Sequence, residues 1–296
     1  MGARAAGART AASGLAAVLF CGAAVAACTC GQLGATDGGG GTGTDAGAGS
    51  GADAGSGPGS DAAGPPQLVS VYAHSADTLY RVDPDTLTVT AVGPFLWPNG
   101  SDQMTDIAID HTGYMVGISF TDVYAVDPVT AACTYLAPLD TLFNGLSFVP
   151  AEQFEPTGNE VLMGAALDGS LYLLDPVTGA STPVGNYGGG WGSSGDLVSV
   201  VGLGTLATLT DDPLGIGGAT DQLAWVDPMT GTATIIGNTG FTDIWGLGYW
   251  EDRAFGFTTA GQFVTLNVDT GAATVVDSSG VEWWGAAVTT TAPVIQ

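Results

Sequence analysis

Five oxygen-bearing side chains stand at the same place in five similar segments of this sequence. Each one is the first residue of a segment that predicts a buried strand, and they are Asp106, Asn144, Asp196, Asp243 and Glu282. Four carboxylates and one amide drawn into one ring would suit Ca²⁺, a hard cation that takes about six to eight oxygen ligands. The alternative is that acids at strand starts only cap turns and share no common centre.

A second set of side chains could hold a ligand through aromatic and acidic groups in loops. These residues are Trp97, Tyr187, Trp191, Asp211 and Asp212. Exposed aromatic rings beside acids are typical of sites for sugars or extended peptides. Packing in the core is the alternative for such rings, and we expect it for Trp245, Trp283 and Trp284 on predicted inner strands.

Catalysis has weaker support in the sequence. The two histidines, His74 and His111, lie in no nucleophile or zinc motif, and we expect both at the surface or in turns. A glycoside hydrolase remains an alternative, because a pair of the strand-start carboxylates could act as acid and base. The sequence therefore leaves open whether the protein is an enzyme.

These candidate residues are positioned by a phrase that occurs five times. It reads LYRVDPDTLTVTAVG from Leu79, VYAVDPVTAACTYLA from Val123, LYLLDPVTGASTPVG from Leu171, LAWVDPMTGTATIIG from Leu223 and FVTLNVDTGAATVVD from Phe263. The Asp or Asn markers of successive phrases are 44, 48, 52 and 40 residues apart. Such a period is typical of the four-stranded blades of a propeller.

Each phrase predicts two strands joined by a tight D-P-x-T-G turn. Asp caps the turn, Pro presets φ, and Gly supplies the left-handed conformation that closes the hairpin. We therefore interpret the five Asp/Asn markers as structural. Leu87 and Ala131 replace the Gly in the first two phrases, so we expect looser turns there.

The phrase resembles the LYxxDPxTGxxT repeats of secreted bacterial propellers and, more loosely, quinoprotein-like and YVTN-type repeats. The resemblance covers nearly all of the part predicted to fold. It implies an architecture and says little about activity, because such repeats occur in proteins of many roles. The Trp docking motif of the quinoprotein dehydrogenases is missing, so we expect no quinone.

Two further strands are predicted before each phrase, except that the first blade lacks one. The segment EWWGAAVTT from Glu282 matches the inner strands and has no blade of its own. The simplest solution is that this last strand completes the first blade and leaves no sheet edge of the ring unpaired. We predict an all-β, five-bladed β-propeller from about residue 67 to 290, within a domain of residues 67–296. Ligands are expected on the face that collects the loops from each outer strand to the next inner strand.

The amino-terminal part predicts export and a lipid anchor. Two Arg followed by an uncharged apolar run are typical of an export signal, here residues 1–27. The run ends in VAAC, which resembles the lipobox of bacterial lipoproteins and implies acylation at Cys28. Plain secretion or an uncleaved signal anchor are the alternatives. Residues 28–66 predict a disordered tether, with 14 Gly in residues 31–66.

Charge narrows the choice of partners. The chain contains no Lys and four Arg, and its formal net charge is −25. DNA, RNA and anionic lipid headgroups are poor partners for such a surface. We expect a monomeric, lipid-anchored protein of the bacterial cell envelope, at the outer membrane or cell surface, that binds a protein, a glycan or a cation without catalysis. A glycosidase-like hydrolase and a purely structural envelope component are the alternatives.

Overall fold

The computed structural model describes residues 71–156, 158–213 and 218–295. The predicted signal peptide of residues 1–27, the lipid anchor at Cys28 and the tether of residues 28–66 lie outside the described residues. Within these described ranges, no helix combines the length and the apolar character needed to cross a bilayer.

Twenty strands make up nearly all of the regular structure of the described residues. The first blade begins with β1 (Val71–His74), β2 (Thr78–Asp83) and β3 (Thr88–Pro94). The second contains β4 (Asp106–Ile109), β5 (Met115–Ile118), β6 (Asp122–Val126) and β7 (Cys133–Pro138). The third contains β8 (Gly145–Val149), the helix α1 (Ala151–Phe154), β9 (Val161–Ala165), β10 (Ser170–Leu174) and β11 (Ser181–Asn186). The fourth contains β12 (Gly192–Val200), β13 (Gly204–Thr210), β14 (Gln222–Val226) and β15 (Ala233–Asn238). The fifth contains β16 (Ile244–Trp250), β17 (Arg253–Thr258), β18 (Gln262–Leu266) and β19 (Ala273–Ser278), and β20 (Gly285–Ala287) follows.

The strands form five four-stranded antiparallel sheets, and the last strand closes the ring as predicted. Sheets two to five follow chain order, whereas the first sheet has the order β20-β1-β2-β3. Tyr72 pairs with Ala287 and His74 with Gly285 across this closing contact. The first strand of each sheet packs against the first strands of its neighbours, so β20, β4, β8, β12 and β16 line the centre. The all-β, five-bladed β-propeller is therefore confirmed.

The hydrophobic core lies between neighbouring blades. Each blade presents one apolar face to the blade before it and another to the blade after it, so its inner strands are buried on both sides, whereas the outermost strands are largely exposed. Trp283, for example, is fully buried and meets Tyr80 of the first blade and Phe257 of the fifth, with ring centroids 5.0 and 5.3 Å away. The expectation that Trp283 packs in the core is confirmed.

The D-P-x-T-G segments form the outer hairpins as predicted. In the second blade the Asp127 carboxylate accepts the N–H groups of Val129 and Thr130 at 2.8 and 3.0 Å. The expectation of looser turns without Gly is wrong, because Leu87 and Ala131 adopt the same left-handed conformation, each with φ 57°. These two residues accept a backbone strain that Gly avoids elsewhere.

The segment after β20 joins the blades on one side of the ring. Thr289 forms a parallel bridge with Ile109, and Val294 forms another with Glu251. The carbonyl of Thr290 accepts the Val201 N–H at 2.8 Å, and its hydroxyl group bonds the Glu160 carboxylate. The end of the described chain thereby contacts blades two to five.

Candidate functional site

A pocket of about 390 Å³ opens on the predicted ligand face, which we call the loop face. This face carries the loops from outer to inner strands and the loops between second and third strands. The volume of the pocket lies in the range of small-molecule sites, roughly 300–1,000 Å³. All five blades contribute to the wall, through residues that include Trp284, Phe120, Asn144, Asp212 and Trp245.

Three aromatic rings form one side of the pocket. The Trp245 and Trp284 rings are 6.0 Å apart at an interplanar angle of 80°, and the Phe120 and Trp284 rings are 6.2 Å apart at 78°. Two rings therefore stand nearly perpendicular to the central indole of Trp284. The Trp284 Nε1–H donates to the Glu282 carboxylate at 3.3 Å, which helps to hold the indole. Phe120 is 50% exposed and so is open to a ligand.

Three carboxylates line the same pocket: Asp212, Asp221 and Asp243. Asp221 is buried, and its Oδ2 accepts the Ile244 N–H at 2.8 Å. Burial raises the pKa of Asp221 to about 7, and the charge of Asp243 acts in the same direction. Asp243 is exposed and adopts a left-handed backbone with φ 54°. Among the described residues that line the pocket, none is Arg, Lys or His.

Asn144 adds an acceptor to the wall. Its Nδ2 donates to the Ser193 carbonyl at 3.1 Å, which fixes the direction of the amide. The Oδ1 atom is buried and has no hydrogen-bond partner among the described residues. A ligand that donates a hydrogen bond could satisfy this oxygen.

A separate polar cluster lies buried in the inner strands, outside the pocket wall. Asp106 and Asp196 are fully buried, and the charge of Asp196 acts on the Asp106 carboxyl. Burial raises the pKa of both carboxyls, and the charge of Asp196 raises that of Asp106 further. Asp196 accepts two backbone N–H groups, from Leu197 at 2.6 Å and Leu247 at 2.8 Å. We therefore place the negative charge on Asp196 and a proton on Asp106, whose Oδ2 has no hydrogen-bond partner among the described residues.

His74 belongs to this buried cluster, so the expectation that it lies at the surface or in a turn is wrong. It is fully buried on β1, because β20 and the second blade cover it, and its Nε2 is 3.7 Å from Asp106 Oδ1. Burial lowers the pKa of His74 to about 4, so the ring is neutral at pH 7. Nδ1 lies 2.9 Å from the Ser75 carbonyl, a contact that requires the proton on Nδ1.

The five residues predicted to hold a cation occupy three kinds of position. Asp106 and Asp196 lie within β4 and β12 and face each other, whereas Asn144, Asp243 and Glu282 precede their strands. Asp243 and Glu282 are exposed, and Asn144 and Asp243 both lie in the pocket wall. The structure thus brings together one buried pair from the five, and Ca²⁺ binding stays a prediction.

The five residues predicted to bind a ligand do not lie together in one site. Asp212 lines the pocket, and Asp211 is exposed beside it. Tyr187 is buried in the core rather than exposed, because the blade interface covers its ring. Trp97 packs against Phe95 and Tyr124 outside the pocket, and half-buried Trp191 packs beside the Tyr187 cluster.

His111 lies on the opposite face, in the exposed turn where we expected it. The ligand atoms of Asp110, His111 and Glu160 lie within 4.8 Å of one another there. His111 Nδ1 is 3.0 Å from Glu160 Oε2, and this hydrogen bond and charge raise the pKa of His111. Asp110 Oδ1 already accepts the N–H groups of Thr112 and Tyr114, so this oxygen is engaged by protein donors.

Comparisons with known proteins assign no family. No protein-family model matches the chain, and no curated protein matches it. Solved structures similar to it include the computationally designed Ika8 protein, with 13% identity, TM-score 0.33, and coverage of 73% of this chain and 60% of that one. A mitotic checkpoint complex chain matches with 17% identity, TM-score 0.39, and coverage of 70% and 63%. The chain spans less than two thirds of either structure's chain.

Sequence reasoning assigned Trp245 and Trp284 to the core and did not single out Asp221. Both indoles are half-buried and reach the pocket instead. A repeated signal was present, since each Trp is followed directly by Gly on an inner strand. Gly246 and Gly285 pack backbone to backbone, and an added Cβ on Gly246 would lie 2.7 Å from the Gly285 carbonyl carbon. Close approach of these strands places the preceding indoles at the pocket.

Proposed function

We propose that this propeller binds a small ligand, or the end of a larger one, in the loop-face pocket and does not transform it. The observation that carries the proposal is the combination of three aromatic rings and three carboxylates in one concave wall. A few directed polar groups beside an apolar surface are the usual composition of a binding site. Both glycans and cationic ligands fit this description.

Binding to the pocket is tested by calorimetry on the purified full chain. We expect a glycan and amine panel to contain a ligand whose affinity falls at least about tenfold in Trp284→Leu, the change for losing an aromatic contact worth about 1.4 kcal/mol. Tyr114→Leu is the matched control, because Tyr114 is exposed on the opposite face. Equal binding by Trp284→Leu and the parent protein would reject the pocket as the site.

We propose further that the protein is a lipoprotein of the bacterial cell envelope, displayed as a monomer on its tether at the outer membrane or cell surface. The VAAC segment and the Gly-rich residues 31–66 support this. Cys28→Ser should move the protein from the membrane fraction to the soluble fraction, and Cys30→Ser is the control. Membrane association unchanged in Cys28→Ser would contradict the lipid anchor.

A hydrolase is the second candidate, and Asp221 is the observation that favours it. A carboxyl with a pKa near 7 can donate a proton at neutral pH, and Asp243 lines the same pocket as a second carboxyl. Turnover of a glycan by the parent protein, lost in Asp221→Asn with binding retained, would establish this activity. Binding without turnover favours the first proposal.

Calcium stays a proposal for the five strand-start residues. Melting temperatures of the full chain in EDTA and in millimolar Ca²⁺ test it, because a site filled about a hundredfold above its dissociation constant adds about 2.7 kcal/mol. A rise of several degrees that Asp106→Asn removes would support the site. No rise would assign Asp106 and Asp196 to the structural role indicated by their hydrogen bonds.

A further inference from the structure

The charge of the pocket wall selects among the ligands that its shape admits. Asp212, Asp221 and Asp243 supply carboxyl groups, and none of the described lining residues is Arg, Lys or His. Burial raises the pKa of Asp221 to about 7, so this carboxyl carries a partial negative charge at neutral pH. The net charge of −25 adds a field that attracts cations to the protein.

The hydrogen-bonding groups of the pocket wall also favour a cationic ligand. Asn144 Oδ1 is a buried acceptor with no hydrogen-bond partner in the part of the chain that the structure describes. Several hydroxyl donors are already engaged, since Thr105 Oγ1 donates to the Ile118 carbonyl at 3.0 Å and Ser193 Oγ to the Gly195 carbonyl at 2.7 Å. A sugar needs both donors and acceptors, whereas an ammonium group needs acceptors and negative charge.

The aromatic side supplies a surface that suits a desolvated cation. Trp284 stands nearly perpendicular to both Trp245 and Phe120, so the three rings of this wall differ in orientation. The faces of aromatic rings attract cations, and quaternary ammonium ligands are typically held by several such rings. A neutral apolar group of the same shape would gain the contact area without this attraction.

We propose that the group bound in this pocket is an alkylammonium cation, held between the Phe120, Trp245 and Trp284 rings and the carboxylates of Asp212, Asp221 and Asp243. The proposal rests on the proposed function, because it names the ligand class of the same pocket. A free small molecule and a lysyl side chain of a peptide are two sources of this chemistry.

The test compares choline with 3,3-dimethyl-1-butanol, a neutral isostere in which carbon replaces the quaternary nitrogen. Calorimetry on the full chain should give choline an affinity at least about tenfold higher than the isostere. Phe120→Leu should weaken choline binding about fivefold or more, and Asp243→Asn should do the same. The matched controls are Tyr114→Leu and Asp85→Asn, because both residues are exposed outside the pocket.

The source of the cation is distinguished by a short peptide with one Lys and by the same peptide with that Lys acetylated. Preference for the unmodified peptide supports the proposal with a peptide source, and binding of choline alone supports it with a small-molecule source. Equal affinity for choline and its isostere overturns the cation proposal and leaves pocket binding intact. The cation proposal is likewise overturned, and pocket binding left intact, if the protein binds neutral glycans but neither choline nor the Lys peptide, and loses the glycan binding in Trp284→Leu. If no ligand of any class binds more weakly to Trp284→Leu than to the parent protein, both proposals are overturned.

Discussion

Replacing Asp221 by Asn should change how the stability of the protein depends on pH. The carboxyl is 1% exposed, and burial raises its pKa to about 7 from an ordinary value of 3.8. Between these two values the unfolded chain releases the proton of Asp221 and the folded protein keeps it. Stability from this group is therefore complete below about pH 4 and is lost as the pH rises through 7.

The size of the effect follows from the interval between the two values. From 3.8 to about 7, at about 1.4 kcal/mol per pH unit, the interval amounts to roughly 4 kcal/mol. Asn keeps an oxygen that can accept the Ile244 N–H, so the substitution itself should cost only about 1 kcal/mol. Between pH 5 and 8 we expect Asp221→Asn to gain about 2–3 kcal/mol relative to the parent protein.

Urea unfolding at pH 5, 6, 7 and 8 and constant ionic strength measures this difference. The other titrating groups are the same in both proteins and cancel in the comparison. The raised pKa values of Asp106 and Asp196 also make the protein less stable as the pH rises. His74, with a pKa of about 4, has the opposite effect and makes the protein more stable as the pH rises. Asp243, the charged neighbour of Asp221, is also common to both. Parallel stability curves for Asp221→Asn and the parent protein would refute the reasoning, and the exposed Asp85→Asn controls for the change in net charge.

Three further predictions concern the framework of the ring. Gly185→Ala should destabilise the protein by about 1–3 kcal/mol in urea unfolding, because the added Cβ would overlap the Thr230 carbonyl of the next blade; equal stability would contradict this close approach. Burial raises the pKa of the Cys133 thiol to about 12, so the native full chain and its Cys133→Ser variant should react equally with a thiol reagent, and differ only in denaturant. Thr290→Val removes the hydrogen bond to Glu160 and should lower the melting temperature by roughly 2–4 °C; an unchanged value would show that this bond contributes nothing.

The architecture could be predicted because its rules are local and repeated. The D-P-x-T-G turn determines a hairpin within a few residues, so five copies specify five outer hairpins without knowledge of the rest of the chain. Ring closure followed from a strand without a blade, and the pairing of Tyr72 with Ala287 confirms it. The loop face also follows from strand order alone.

The details of the site could not be predicted in the same way. Whether an aromatic residue on an inner strand reaches a pocket depends on how closely the neighbouring strands approach, as at Gly246 and Gly285. His74 is buried by strands that are distant in sequence, and nothing in its own segment indicates this. Acids that align in the sequence also take different positions relative to their strands, since Asp106 is the first residue of β4 whereas Asp243 precedes β16.

The closing contact has a consequence for how the protein reaches its folded state. β1 and β20 are roughly 200 residues apart in the sequence, so the loop that this pairing closes is nearly the whole domain. While the chain is being synthesised, blade 1 is a three-stranded sheet whose β1 edge has no partner. Unpaired strand edges are the usual starting points for aggregation. Loss of the last strand would therefore leave a permanent open edge for intermolecular pairing as well as an incomplete blade.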